Sequence, residues 1–110
     1  MNQVSERQEY VYSRLASDPD LSDIVEMFVE EMPERVANLL SQLDSGDIEA
    51  LRRTAHQLKG AAGSYGFDII SPSAAKVEAA IRDGESEQRL RETVDALVDL
   101  CKRARCGMPN

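Results

Sequence analysis

Apolar residues recur at steps of three and four along most of this chain, and that spacing limits its fold more than any other feature. In DLSDIVEMFVEEMPERVANLLSQL, the residues Leu21, Val25, Phe28, Met32, Val36, Leu39 and Leu43 fall on one face of a helix. Pro33 lies inside this run, where it costs a backbone hydrogen bond and must either kink the helix or mark the junction of two. DSGD ends the run, with Gly46 as the stop and Asp47 as the next N-cap. Ile48, Leu51, Ala55, Leu58, Ala62 and Tyr65 form a second seam. A third helix is expected in SPSAAKVEAAIRDG, capped by Ser71, with Pro72 at its first position and Gly84 closing it. Leu90, Val94, Leu97, Cys101 and Ala104 make the last seam.

Four amphipathic helices with short links can bury their stripes only against one another. The expected fold is therefore all-α, an antiparallel four-helix bundle with its core at about residues 21–104. Tyr10, Val11 and Leu15 suggest a short extra N-terminal helix, so that residues 1–20 cover one end of the bundle and residues 105–110 form a frayed tail. The absence of Trp, with only five Phe and Tyr residues, fits aliphatic helix packing.

Size and charge narrow the function. A chain of 110 residues sustains one domain, which leaves no room for a separate catalytic unit. A formal charge of −7 disfavours nucleic acid and anionic membrane, because both require a positive surface, and favours protein partners. The opening MNQVSERQEY has no apolar signal region, and no run of about 18 apolar residues occurs, so the expected compartment is the cytoplasm. Cys101 and Cys106 lie on different helix faces and assemble neither a redox pair nor a zinc site.

The stretch AHQLKGAAGSYGF holds the only histidine of the chain together with Gly60, Gly63 and Gly66. A glycine inside a helix costs about 1 kcal/mol relative to alanine, so this density needs a local reason. His56 follows the seam position Ala55 and so stands about 100° away from the buried face, at the edge or on the surface. Its neighbours along the helix are Arg52, Arg53, Lys59, Gly60 and Gly63. From Asp47 to Gly66 the charge is +1, which leaves −8 for the rest, so the basic cluster is local. An exposed imidazole beside bare backbone and cations is suited to accept a phosphoryl group from a second protein.

These residues resemble the signature of histidine-containing phosphotransfer domains, the HPt family of multistep two-component relays. That pattern reads His-x-Leu-Lys-Gly with a further Gly six residues later, and here it is met by His56, Leu58, Lys59, Gly60 and Gly66. The resemblance implies that His56 is the phosphoacceptor and Lys59 the cation that stabilises the phosphoryl group. It further implies that Gly60 allows a response-regulator receiver domain to approach closely. Helical position adds Gln57, Arg52 and Arg53 as receiver contacts. For the two arginines, pairing with Glu49 or with acids on adjoining helices remains the alternative. Gly63 serves either docking or tight helix packing, and Gly66 has the place of a left-handed helix end.

The expected protein is a phosphohistidine carrier between receiver aspartates, with a hybrid sensor histidine kinase upstream. It is expected to be monomeric and to need no cofactor, the metal residing on the receiver. No kinase activity is expected, since the chain is short and lacks a Gly-rich nucleotide motif. A metal or general-base enzyme lacks its further ligands, as the motif helix offers only Asp47 and Glu49 as carboxylates. The competing reading is a helical adaptor that docks a receiver or kinase without being phosphorylated.

Overall fold

The computed structural model describes residues 9–107. Its elements are β1 (Val11–Tyr12), α1 (Ser22–Glu30), α2 (Met32–Ser45), α3 (Ile48–Ser64), α4 (Ile70–Arg82), α5 (Glu87–Arg103) and β2 (Ala104–Arg105). Helices α2 to α5 form the bundle: α3 packs most extensively on α4, α4 on α5, and α2 closes the ring against α3 and α5. Short links between successive packed helices make neighbours antiparallel, as the apolar seams require.

Most seam residues are buried in the core, but Ile48, read as the start of the second seam, is exposed, and Leu21 and Tyr65 are only partly buried. Leu39, Leu51, Ala55, Leu58, Ala62, Ile70, Ala74, Val77, Val94 and Leu97 are wholly buried. Local chemistry sets the helix ends. Asp47 Oδ1 accepts a hydrogen bond from the Ala50 amide at 3.2 Å, and Ser86 Oγ accepts one from the Arg89 amide at 3.1 Å. Gly46, with φ of 76°, ends α2 in the left-handed region.

The run from Leu21 to Leu43 is two helices rather than one kinked helix. The chain breaks at Glu31, and α2 restarts at Met32 with Pro33 in its first turn. There the missing N–H of proline falls among amides that have no partner within the helix, so the restart removes the cost a continuous helix would bear.

Four further expectations are corrected. The short N-terminal helix expected around Tyr10, Val11 and Leu15 is a strand followed by turns: β1 pairs in parallel with β2, Val11 opposite Ala104 and Tyr12 opposite Arg105. Ala104, assigned to the last helical seam, is extended and lies in β2, although it is buried as expected. Arg105 consequently belongs to a paired strand and not to a frayed tail, and its guanidinium stacks on Tyr10 at 4.2 Å. The expected cover at residues 1–8 and tail at residues 108–110 lie outside the described residues. Finally, α4 begins at Ile70, so Ser71 sits inside the first turn and does not cap it.

The N-terminal segment acts as a strap across the end of α3. The Arg14 amide donates to Gly66 O at 2.8 Å, Ser13 Oγ donates to Tyr65 O, and Arg14 pairs with Asp68 at 2.9 Å. Beneath it Phe28 of α1 stacks on Phe67 at 5.3 Å and tilts against Tyr65 at 5.2 Å. The end of the motif helix is thereby fixed by α1 and the strap together.

Candidate functional site

Ala55 and Leu58 of α3 point into the core, and this fixes the faces of the residues between and after them. His56 is rotated out of the core, with 63% of its side chain exposed. Lys59, almost one turn later, is at the rim of the same face.

A third side chain completes the group. Glu78 of α4 accepts a hydrogen bond at Oε2 from His56 Nδ1 and pairs through Oε1 with Lys59 Nζ, both at 2.8 Å. Only 17% of the Glu78 side chain is exposed, so the carboxylate is wedged between the two helices. The Lys59 hydrogen bond, followed by that from His56, holds its carboxyl below the usual carboxylate range, although burial acts in the opposite direction. An ionised carboxylate can only accept, so Nδ1 must carry the ring proton. In the neutral imidazole the lone pair then belongs to Nε2. The arrangement produces a nucleophile of fixed tautomer on an exposed surface, with an ammonium group beside it.

Sequence reasoning missed Glu78. A signal existed, because Glu78 follows the buried Val77 just as His56 follows the buried Ala55, which puts both at the edge of their helices' apolar stripes. What the sequence lacked was the pairing of those two edges across 22 residues.

The three glycines of the motif differ. Gly60 is in regular helix, and a Cβ built on it would meet no atom within 4 Å, so the surface beside His56 is open. A Cβ on Gly63 would lie 3.5 Å from Ser71 Oγ, which places this glycine at the packed contact with α4. Gly66 has φ of 81° and lies under the strap, where a Cβ would come within 2.7 Å of Ser13 Oγ.

Arg52 and Arg53 both turn back to Glu49 Oε2, at 2.6 and 3.6 Å. That pairing raises the Arg52 guanidinium further above its usual value and lowers the Glu49 carboxyl, mainly through their mutual hydrogen bonds. The two arginines thus stand within one turn of His56 but are engaged on their own helix. Gln57 is exposed on the side of α3 next to His56. Among the described residues no group of three His, Cys, Asp or Glu side chains is placed to hold a metal ion, and no helix is long and apolar enough to cross a membrane. Burial pushes the Cys101 thiol up to about 12, whereas Cys106 is exposed.

The helical bundle thus presents one oriented, solvent-facing imidazole. The family model for the Hpt domain matches residues 23–105. This chain belongs to the Hpt domain family, the phosphohistidine carriers of two-component signalling, whose domains have no kinase activity of their own. It is also similar to the chemotaxis protein CheA of Rhizobium meliloti (strain 1021), with 30% identity over 105 residues. That alignment covers 80% of this chain but only 14% of the relative, so the chain spans about one seventh of that protein's length. No solved structure gives a significant match.

Proposed function

We propose that this chain relays a phosphoryl group between aspartates of receiver domains in a multistep pathway, with His56 as the acceptor. The observation that carries this reading is the Glu78 contact at Nδ1, which leaves Nε2 as the exposed nucleophilic atom. On approach of a receiver, the Nε2 lone pair attacks phosphorus. The N–P bond forms as the P–O bond to the receiver aspartate breaks, and the electron pair departs with that carboxylate. Nδ1 keeps its proton on Glu78, whose negative charge offsets the positive charge that builds on the ring during attack. Running the same step backwards returns the phosphoryl group to a second receiver.

Lys59 is assigned to the phosphoryl oxygens. One of its three protons is directed at Glu78, and the others are free to reach an incoming anion. Gly60 supplies the clearance the receiver needs, and the metal that such a transfer uses belongs to the receiver. Gln57 stands on the approach side, while Arg52 and Arg53 contribute positive potential at the rim.

The likeness to a chemotaxis protein supports a second reading of the upstream step, in which a kinase rather than a receiver supplies the phosphoryl group. Incubation with a panel of phosphorylated receivers, with ATP alone and with ATP plus a histidine kinase separates the possibilities. The relay reading predicts label from a receiver and none from ATP alone. Label that appears only with the kinase places the donor there. Binding of receivers without any label in either arm is the outcome the adaptor reading predicts.

A further inference from the structure

We propose that Ser71 is a positioning residue that sets the axial register of α3 against α4 and thereby holds Glu78 opposite His56 and Lys59. The proposal rests on His56 being the phosphoacceptor. Ser71 Oγ donates a hydrogen bond of 2.9 Å to the carbonyl oxygen of Lys59, across the interface between the two helices. Lys59 lies within α3, where the same carbonyl is the acceptor position for the Gly63 amide one turn on, so the serine uses the second lone pair. The serine caps nothing, and its hydroxyl is committed to the other helix.

The geometry of the two helices ties this contact to the site. Ser71 and Glu78 are seven residues apart on α4, about two turns, and so share one face of that helix. On α3 the corresponding face carries Gly63, then Lys59, then His56, read in the reverse direction, as antiparallel packing demands. Gly63 borders this contact, and a Cβ there would lie 3.5 Å from the Ser71 hydroxyl oxygen, in ordinary van der Waals contact.

A directional contact adds to the apolar packing here, because the buried surface of these helices mixes small residues with large ones. Ala55, Ala62 and Ala74 are wholly buried alongside Leu58, Ile70 and Val77, and where the side chains are short, apolar packing alone sets the axial offset less tightly. A slip of one residue displaces the helices by about 1.5 Å, which would lengthen and misalign the Glu78 hydrogen bonds to both partners. The hydroxyl-to-carbonyl bond favours the offset at which Ser71 meets the Lys59 carbonyl.

The test uses ¹⁵N-labelled full-length protein with Ser71→Ala, Ser71→Thr and, as a control, Thr93→Ala. Thr93 donates a comparable bond, 2.7 Å to Leu90 O, within α5 and away from the site. The first readout is the pair of His56 ring nitrogen resonances in the unphosphorylated protein, which reports the tautomer and requires no phosphotransfer. Ser71→Ala should convert the Nδ1–H tautomer into a mixture and slow transfer roughly three- to tenfold. Ser71→Thr should restore both, and Thr93→Ala should alter neither. If Ser71→Ala leaves the tautomer and the rate as Thr93→Ala does, or if threonine fails to restore the tautomer, the proposal is overturned. Should no variant or wild type accept phosphoryl at His56, the carrier reading fails separately, and the tautomer comparison still decides the role of Ser71.

Discussion

Ser13 lies directly over Gly66, so close that the strap and the end of the motif helix could not both keep their places if Gly66 carried a side chain. A Cβ there would stand 2.7 Å from Ser13 Oγ, 3.0 Å from Leu15 Cγ and 3.1 Å from the Arg14 amide nitrogen. Two demands therefore coincide at Gly66, a left-handed backbone and a close crossing by another segment. The last glycine of the motif belongs to the support of the site rather than to its chemistry.

Gly66→Ala should consequently destabilise the domain by about 2–4 kcal/mol, combining the cost of a left-handed alanine with displacement of the strap. Thermal or urea unfolding gives the number. A loss of a few tenths of a kcal/mol would show that the strap yields freely.

Gly60→Ala should act in the other direction. Gly60 is helical and surrounded by open space, so alanine should stabilise the fold by up to ~1 kcal/mol. Gly60→Gln should keep the fold but impede the receiver, because its side chain would stand one turn from His56 on the approach path. Melting curves and transfer rates on the two variants check this. Normal transfer by Gly60→Gln would remove Gly60 from the docking surface, and unfolding by that variant would make it a packing residue.

Much of this was readable from local pattern, because helix periodicity and capping act over one or two turns. The seams of α2, α3 and α5, the caps at Asp47 and Ser86 and the edge position of His56 are of this kind, although Ser86 itself went unread. Longer-range features were not readable in the same way. The pairing of Val11 and Tyr12 with Ala104 and Arg105 joins two short segments at opposite ends of the sequence, and nothing in either segment encodes its partner. Ser71 had the composition of a cap but was drawn to Lys59 by the packing of α4 on α3. Glu78 stands at the edge of its own helix's apolar stripe, and only that same packing brings it to the imidazole.

Glu78→Gln tests the electrostatics of the site. Because the Glu78 carboxyl in the fold is held below its unfolded value, its pairing stabilises the protein above the ordinary carboxylate pKa. That contribution is lost as the pH falls through the lowered value. Wild type should therefore be more stable than Glu78→Gln at neutral pH, and the two should converge in acid. Transfer by the variant should be slower by about tenfold or more, as the ring tautomer is no longer fixed. Unfolding curves across the acid range and stopped-flow transfer rates measure both. A stability difference independent of pH would contradict the ionised pairing.

The most direct measurement is the site and chemistry of the label itself. After incubation with a phosphorylated receiver, the protein should carry one phosphoryl group, located at His56 by peptide mass spectrometry under alkaline handling. The label should persist in base, be lost in acid as a phosphoramidate is, and be absent from His56→Gln. A label that remains in His56→Gln, that resists acid, or that forms with ATP as the sole donor would contradict the account.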